Sequence, residues 1–219
     1  SGVKSESATF QILPFVWQTG GDLSNYSESG ATALAYLRGM IEEGSMSEAV
    51  SNYTQEDART QFITGKAAMM INGPWELSTL TKDAEIEWDV APLPKDKRAA
   101  TSMGGENVVV MNGAKQSEAA VKLAKYLTSA EGAKIYCDGS GQLSSRPDLQ
   151  GKLKLSSDPK LKVFEDQLQY AHARAYGKDY PKISEAIQLS MQEALTGAST
   201  PEAAAKKAAD TINPLLPKN

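Results

Sequence analysis

The sequence predicts a helix-rich α/β fold, and three observations lead there. Segments with apolar residues at helical spacing recur from Ala31 to beyond Pro201. Three short apolar or β-branched runs, at 67–71, 88–91 and 107–111, are of strand length rather than helix length. In the first half of the chain these runs alternate with the helical segments, which favours α/β over segregated classes.

Each element follows from local chemistry. Leu34, Leu37, Met40 and Ile41 give 31–43 one apolar face, and Gly44 stands where a left-handed terminal residue is wanted. Thr54 and Asp57 form a capping pair, Ala58 and Phe62 share a face, and Gly65 closes a second short helix. The run 67–71, bounded by Lys66 and Asn72, is expected to be a core strand. Asn72-Gly73-Pro74 is a turn, with Pro74 as first residue of a helix through Trp75 to about Thr81. A strand at 88–91 is ended by Pro92-Leu93-Pro94, and a third at 107–111 follows Gly104-Gly105.

Helices dominate after Met111. Ser117 caps one with Val121, Ala124 and Leu127 on a single face, and Ser129 starts another through Cys137 that Gly139 and Gly141 end. Pro159 opens a helix with Leu161, Phe164, Leu168 and Ala171 inward. Pro181 opens one with Ile183, Ile187, Met191 and Leu195 inward, stopped by Gly197. Thr200 and Pro201 are cap and first residue of an Ala-rich last helix, terminated by Pro214.

Composition narrows the function. With 219 residues and 41% apolar content, the chain can build a sizeable core. Its net charge is −4 and its 23 Lys and Arg are scattered, so it lacks the basic footprint of a nucleic-acid binder. No stretch approaches the roughly 18 consecutive apolar residues of a membrane-spanning helix, and residues 1–7 show no signal-peptide pattern. A single cysteine, Cys137, and a single histidine, His172, leave almost no material for a Cys/His metal site or a His-based triad. The acid pairs Glu42-Glu43 and Glu85-Glu87 read as solvated surface rather than catalytic carboxylates. No catalytic residue, metal site or cofactor is expected, and the glycine-rich spots lack phosphate-loop spacing.

What remains is an aromatic and polar set. Trp75, at the start of a helix, presents an indole on which a flat sugar face can stack. Trp17 lies in the apolar run Pro14-Phe15-Val16-Trp17, where burial is favoured, and it stays among the candidate ligand residues. Trp88, between charged neighbours, reads as structural. Gly105, with Gly104, is a hinge crossing or a place of close backbone approach to a ligand; Glu106 and Asn107 add an acceptor and an amide. Arg174 and Tyr176, just before Pro181, form a hydroxyl-binding pair.

The run from Gly65 to Trp75, Gly-Lys-Ala-Ala-Met-Met-Ile-Asn-Gly-Pro-Trp, closely resembles the central signature of the family 1 extracellular solute-binding proteins, the maltose-binding-protein-like class serving sugar ABC importers. Further pieces lie around it in the family's order: Pro14 to Asp22, Ala91-Pro92-Leu93-Pro94, Gly104-Gly105-Glu106-Asn107, Ala119-Ala120 through Ser129, and Thr200-Pro201-Glu202-Ala203. The resemblance runs from Phe10 to Leu216.

It implies a periplasmic-binding-protein-like fold of type II, a helix-rich C-terminal lobe with crossover elements of an N-terminal lobe. In that scheme 8–104 is the first part of the C-terminal lobe, 105–147 a crossover segment that packs on the N-terminal lobe, and 148–219 the helical remainder. The implied activity is capture of a mono- or oligosaccharide in an interlobe cleft, outside the cytoplasm, for the permease subunits of an ABC importer, with no chemistry of its own. Trp75 becomes the stacking ring, Gly105, Glu106 and Asn107 line the cleft, and Arg174, Tyr176 and Ser184 face the ligand. A second tryptophan found near the Ser184 helix in maltose-binding relatives is missing here, which argues against a maltodextrin. Most of the N-terminal lobe is expected to be absent, leaving Val108, Val110, Val121 and Leu127 in need of that lobe or of a second, domain-swapped copy. A phosphorylated polyol is the alternative ligand. A carbohydrate-active hydrolase is disfavoured because Glu106 has no carboxylate partner.

Overall fold

The computed structural model describes residues 2–154, 156–174 and 176–217. Among them the α-helices are α1 (Glu6–Gln18), α2 (Tyr26–Glu42), α3 (Gln55–Ile63), α4 (Leu77–Asp83), α5 (Ser117–Leu127), α6 (Ala130–Ser140), α7 (Pro159–Gln167), α8 (Tyr180–Leu195) and α9 (Pro201–Ile212). Two strands, β1 (Thr101–Met103) and β2 (Ala171–Ala173), pair in parallel, Ser102 opposite His172. The chain divides into two units: Ser1–Ile71, Leu93–Met103 and Gln169–Asn219 form the first, Asn72–Pro92 and Gly104–Leu168 the second.

The first unit is built on α1, α2, α8 and α9. Four-residue spacing puts Ile183, Ile187, Met191 and Leu195 on one face of α8, and all four are buried in one cluster with Ile12, Leu13 and Val16 of α1 and Leu34 and Leu37 of α2. Alanines 204, 205, 208 and 209 complete the cluster, and their small side chains let α9 approach its neighbours closely. Burying a side chain such as Ile187 stabilises the unit by about 1.5–3 kcal/mol. Where a hydroxyl enters the core it is bonded: Tyr26 Oη lies 2.9 Å from Ser190 Oγ, and burial pushes its pKa up to about 12.

The sequence reading assigned no element to 6–18, and α1 holds Pro14 inside it. Proline lacks the N–H that would bond the Phe10 carbonyl four residues earlier. That carbonyl instead accepts from Ser102 Oγ at 2.9 Å, so the interruption in α1 becomes the attachment point of β1. Arg98 fastens the other end of the same helix, donating to the carbonyls of Trp17 at 2.6 Å and Gly21 at 3.0 Å.

The second unit has a smaller interior. Cys137, Leu149 and Leu153 cluster with Ala133 packed against them; burial pushes the Cys137 thiol pKa up, and a hydrogen bond to Ser144 partly offsets this. Ser129 caps α6 by accepting from the Gly132 N–H at 3.2 Å, as expected. The helix runs through Gly139 and ends only at Gly141, whose φ of 72° is the left-handed value glycine favours. One boundary between the units falls at 103/104. Residues 148–168 stay with the preceding segment because Leu149 and Leu153 pack on Cys137.

Several expected elements did not form. The runs 67–71, 88–91 and 107–111 carry no strand, and Met69, Val109 and Met111 are 83%, 70% and 74% exposed. A strand needs a neighbouring strand in a ladder, and among the described residues the only ladder is that of β1 with β2. Helix α7 stops at Gln167, a 3₁₀ turn covers Leu168–Tyr170, and Ala171 enters β2, so Leu168 is exposed rather than inward. Ser117 is the first residue of α5 and makes no capping bond; Gln116 precedes it as the cap. The apolar residues Val121, Leu123 and Leu127 of α5 are all exposed.

Candidate functional site

In the second unit the turn Asn72-Gly73-Pro74-Trp75 leads into a 3₁₀ turn, Pro74–Glu76, and then α4. Pro74 occupies the first position of that turn, where its fixed φ suits the geometry and its missing N–H costs nothing. Asn72 Oδ1 accepts from the Gly73 N–H at 3.0 Å and from Trp75 Nε1 at 3.1 Å. The ring of Trp75 lies over Gly73, and the side chain is half-buried. Gly141, at the end of α6, abuts the same turn: a Cβ there would stand 3.1 Å from the Pro74 carbonyl oxygen. This is a fixed aromatic surface rather than a core tryptophan. Gly105, Glu106 and Asn107 also belong to this unit and are exposed on the stretch after β1.

The first unit holds Trp17, Arg174 and Tyr176, each bound into the protein itself. Trp17 is fully buried, its ring stacked on His172 at 4.8 Å between centroids, so it offers no open face to a ligand and acts as a support. Its Nε1 lies 3.1 Å from Tyr176 Oη and 3.2 Å from Asp22 Oδ1, and Tyr176 Oη donates to that carboxylate at 2.5 Å. Burial, and then donation to Asp22, push the Tyr176 pKa up.

Arg174 faces a different group. Its Nε donates to Glu6 Oε1 at 3.1 Å, its Nη1 to the Met103 carbonyl at 3.3 Å, and its guanidinium lies 4.6 Å from the Phe10 ring centroid. Tyr180 Oη also donates to Glu6 Oε1, and Ser184 Oγ donates to Glu6 Oε2 at 2.5 Å. Thr9 Oγ1 and Ser184 Oγ are hydrogen-bonded at 2.7 Å. Burial first, and the Glu6 carboxylate second, push the Tyr180 pKa up to about 12. Thus Glu6 gathers the Arg174 guanidinium and the Ser184 hydroxyl that the sequence suggested for a ligand, together with Tyr180, while the Tyr176 hydroxyl goes to Asp22.

Sequence reasoning missed Glu6, Asp22 and Asn72 as organisers. Asp22 carried a readable signal, because Asp22 and Asn25 form a capping box at the expected spacing. Glu6 carried none, since Arg174 is 168 positions away. A cavity of about 180 Å³ in the second unit, lined by Leu143 to Pro147, Leu149, Gln150, Leu153, Glu165 and Leu168, includes none of the predicted site residues. At its rim Arg146 is held by both oxygens of Asp148 at 3.0 Å and donates to the Thr128 carbonyl, so its charge is already matched. Among the described residues there is no Cys, His and carboxylate group able to hold a metal, and no helix is long and apolar enough to cross a membrane.

Comparison with known proteins places these features. The structure is similar to that of an ABC transporter solute-binding protein from Thermotoga lettingae solved with α-D-tagatose bound: TM-score 0.88, 30% identity, 99% of this chain and 58% of that one. It is also similar to maltose-bound MalE3 of T. maritima, with TM-score 0.83 and 28% identity over 99% of this chain and 59% of that one. A putative binding protein of Brucella abortus is 24% identical over 213 residues, 93% of this chain and 52% of its own length. The chain therefore spans about half the length of these curated relatives. The expected type II binding-protein fold is what these neighbours have, and the relatives are binding proteins rather than enzymes. The model of the bacterial extracellular solute-binding proteins matches residues 3–163, and the chain belongs to that family.

Proposed function

We propose that this chain carries the ligand-capturing surface of an ABC importer's solute-binding protein, and that the ligand is a mono- or oligosaccharide held without chemical change. The observation that carries the reading is the half-buried indole of Trp75, fixed on its own turn in the manner a sugar-stacking surface requires. Structural neighbours solved with tagatose and maltose support it. Gly105, Glu106 and Asn107, exposed in the same unit, are the polar complement we assign to the ligand. Arg174 and Tyr176 are a second, separately testable set. Because Glu6 already matches the charge of Arg174, this arginine is a poor anchor for a phosphorylated polyol.

The reading places the protein outside the cytoplasm with the permease subunits as its partner. The exposed apolar side chains at 108–111 and on α5 are the surface we assign to pairing with a second copy of this chain. Light scattering showing only monomer at micromolar concentration would count against that pairing.

Calorimetric titration with maltose and with D-tagatose tests the function. Trp75→Ala is expected to weaken whichever sugar binds by about tenfold or more, the loss typical of an aromatic anchor. Unchanged affinity in that variant removes the site.

A further inference from the structure

Resting on the reading that Trp75 stacks on the ligand, we propose that Asn72 and Gly73 are positioning residues that lock the indole before any ligand arrives. As a consequence the ring offers a sugar its carbon face and no N–H donor.

Three observations converge. The Asn72 side-chain oxygen has two lone pairs, and it accepts from both the Gly73 N–H and the Trp75 Nε1–H. The indole has a single N–H, which this bond occupies. The second observation concerns why residue 73 is glycine. Its φ of −130° and ψ of 177° are extended values open to any residue, so the backbone does not demand glycine. Space does: a Cβ would lie 2.1 Å from Cη2, 2.2 Å from Cζ3 and 2.4 Å from Cζ2 of Trp75. The benzene end of the indole thus occupies the place a side chain would take, while its pyrrole edge is tied to Asn72. The third is that Gly141, which caps the end of α6, closes on the turn from outside, which limits movement of the backbone carrying the ring.

A side chain held at both ends loses its rotamer freedom on folding rather than on binding, which is preorganisation in the physical sense. It also fixes what the surface can recognise. A ligand meeting this ring is selected by a continuous patch of C–H groups, and donors to its hydroxyls must come from other residues.

The test uses the 219-residue chain labelled with 15N, the Trp75 indole signal being identified by its loss in Trp75→Phe. Hydrogen exchange of Trp75 Nε1–H is expected to be slow in the wild type and in Asn72→Asp, which keeps the accepting oxygens, and at least about tenfold faster in Asn72→Leu. Gly73→Ala is expected to shift the indole signal by displacing the ring, without backbone strain. With maltose as the calorimetric probe, Asn72→Leu and Gly73→Ala should each weaken binding about five- to tenfold, and Asn72→Asp should restore it to within about twofold. Wild-type exchange and affinity in Asn72→Leu overturn the proposal. If Trp75→Ala binds maltose as the wild type does, the ligand reading fails instead, and the exchange experiment still decides whether the ring is locked. Should Asn72→Leu fail to fold, Asn72→Asp and Gly73→Ala decide: wild-type indole signal and affinity in Gly73→Ala refute the lock.

Discussion

The two units treat apolar surface in opposite ways. In the first, every large apolar side chain along α8's inner face has a partner, and 23 residues share one buried cluster. In the second, the buried cluster has three residues, while Val108 to Met111 and much of α5 and α6 are exposed. The first unit therefore draws its stability from its own packing. The second owes more to capping bonds, glycine turns and ion pairs such as Lys134 with Asp138 at 2.6 Å. Surface pairs of that kind contribute little, about 0–1 kcal/mol. Two units of one chain can be equally well formed locally and differ greatly in what holds them.

The sharpest test of this contrast is a core deletion. Ile187→Ala should destabilise the first unit by about 2–5 kcal/mol in urea denaturation. Native-state hydrogen exchange should show α5 and α6 opening at lower free energy than α8; equal protection would break the comparison.

A smaller effect comes from alkali. The pKa values of Tyr26 and Tyr180 are raised in the folded chain, both to about 12, and that of Tyr176 is raised as well. A group with a raised folded pKa contributes stability that is complete below its unfolded value of 10.0 and is lost as pH climbs through the folded value. Stability of the first unit should accordingly fall between pH 10 and 12, with Tyr26 alone contributing a slope of up to about 1.4 kcal/mol per pH unit. Tyr26→Phe should flatten that slope in melts taken at pH 8 to 11.

The smallest effect is the most discriminating. Leu127→Lys on α5 should change stability by no more than about 0.5 kcal/mol, because the side chain it replaces is exposed. Binding of a hydrophobic dye should fall. A loss of several kcal/mol would show that α5 has a buried face after all.

The same division explains what could be read from the sequence. The inward set of α8 was legible because one helix face and one core coincide, and Thr54 with Asp57 was legible because a capping box is local. The strands at 67–71, 88–91 and 107–111 were misread because strand formation is a property of pairs, and composition does not reveal whether a partner exists. Trp75 could be picked out from its turn, but the lock formed by Asn72 and Gly73 needed the geometry of the ring. Arg174 and Tyr176 were visible as polar residues near Pro181, but their engagement by Glu6 and Asp22, more than 150 positions away, was not legible from local pattern.

The proline in α1 has a consequence for anyone seeking a hardier version of this chain. Replacing Pro14 with alanine is a standard way to improve a helix, and here it would give the Phe10 carbonyl a second suitor in competition with Ser102. The gain within the helix would be offset by a loosened hold on a segment 92 positions downstream. What looks like a flaw in one element is the docking point of another.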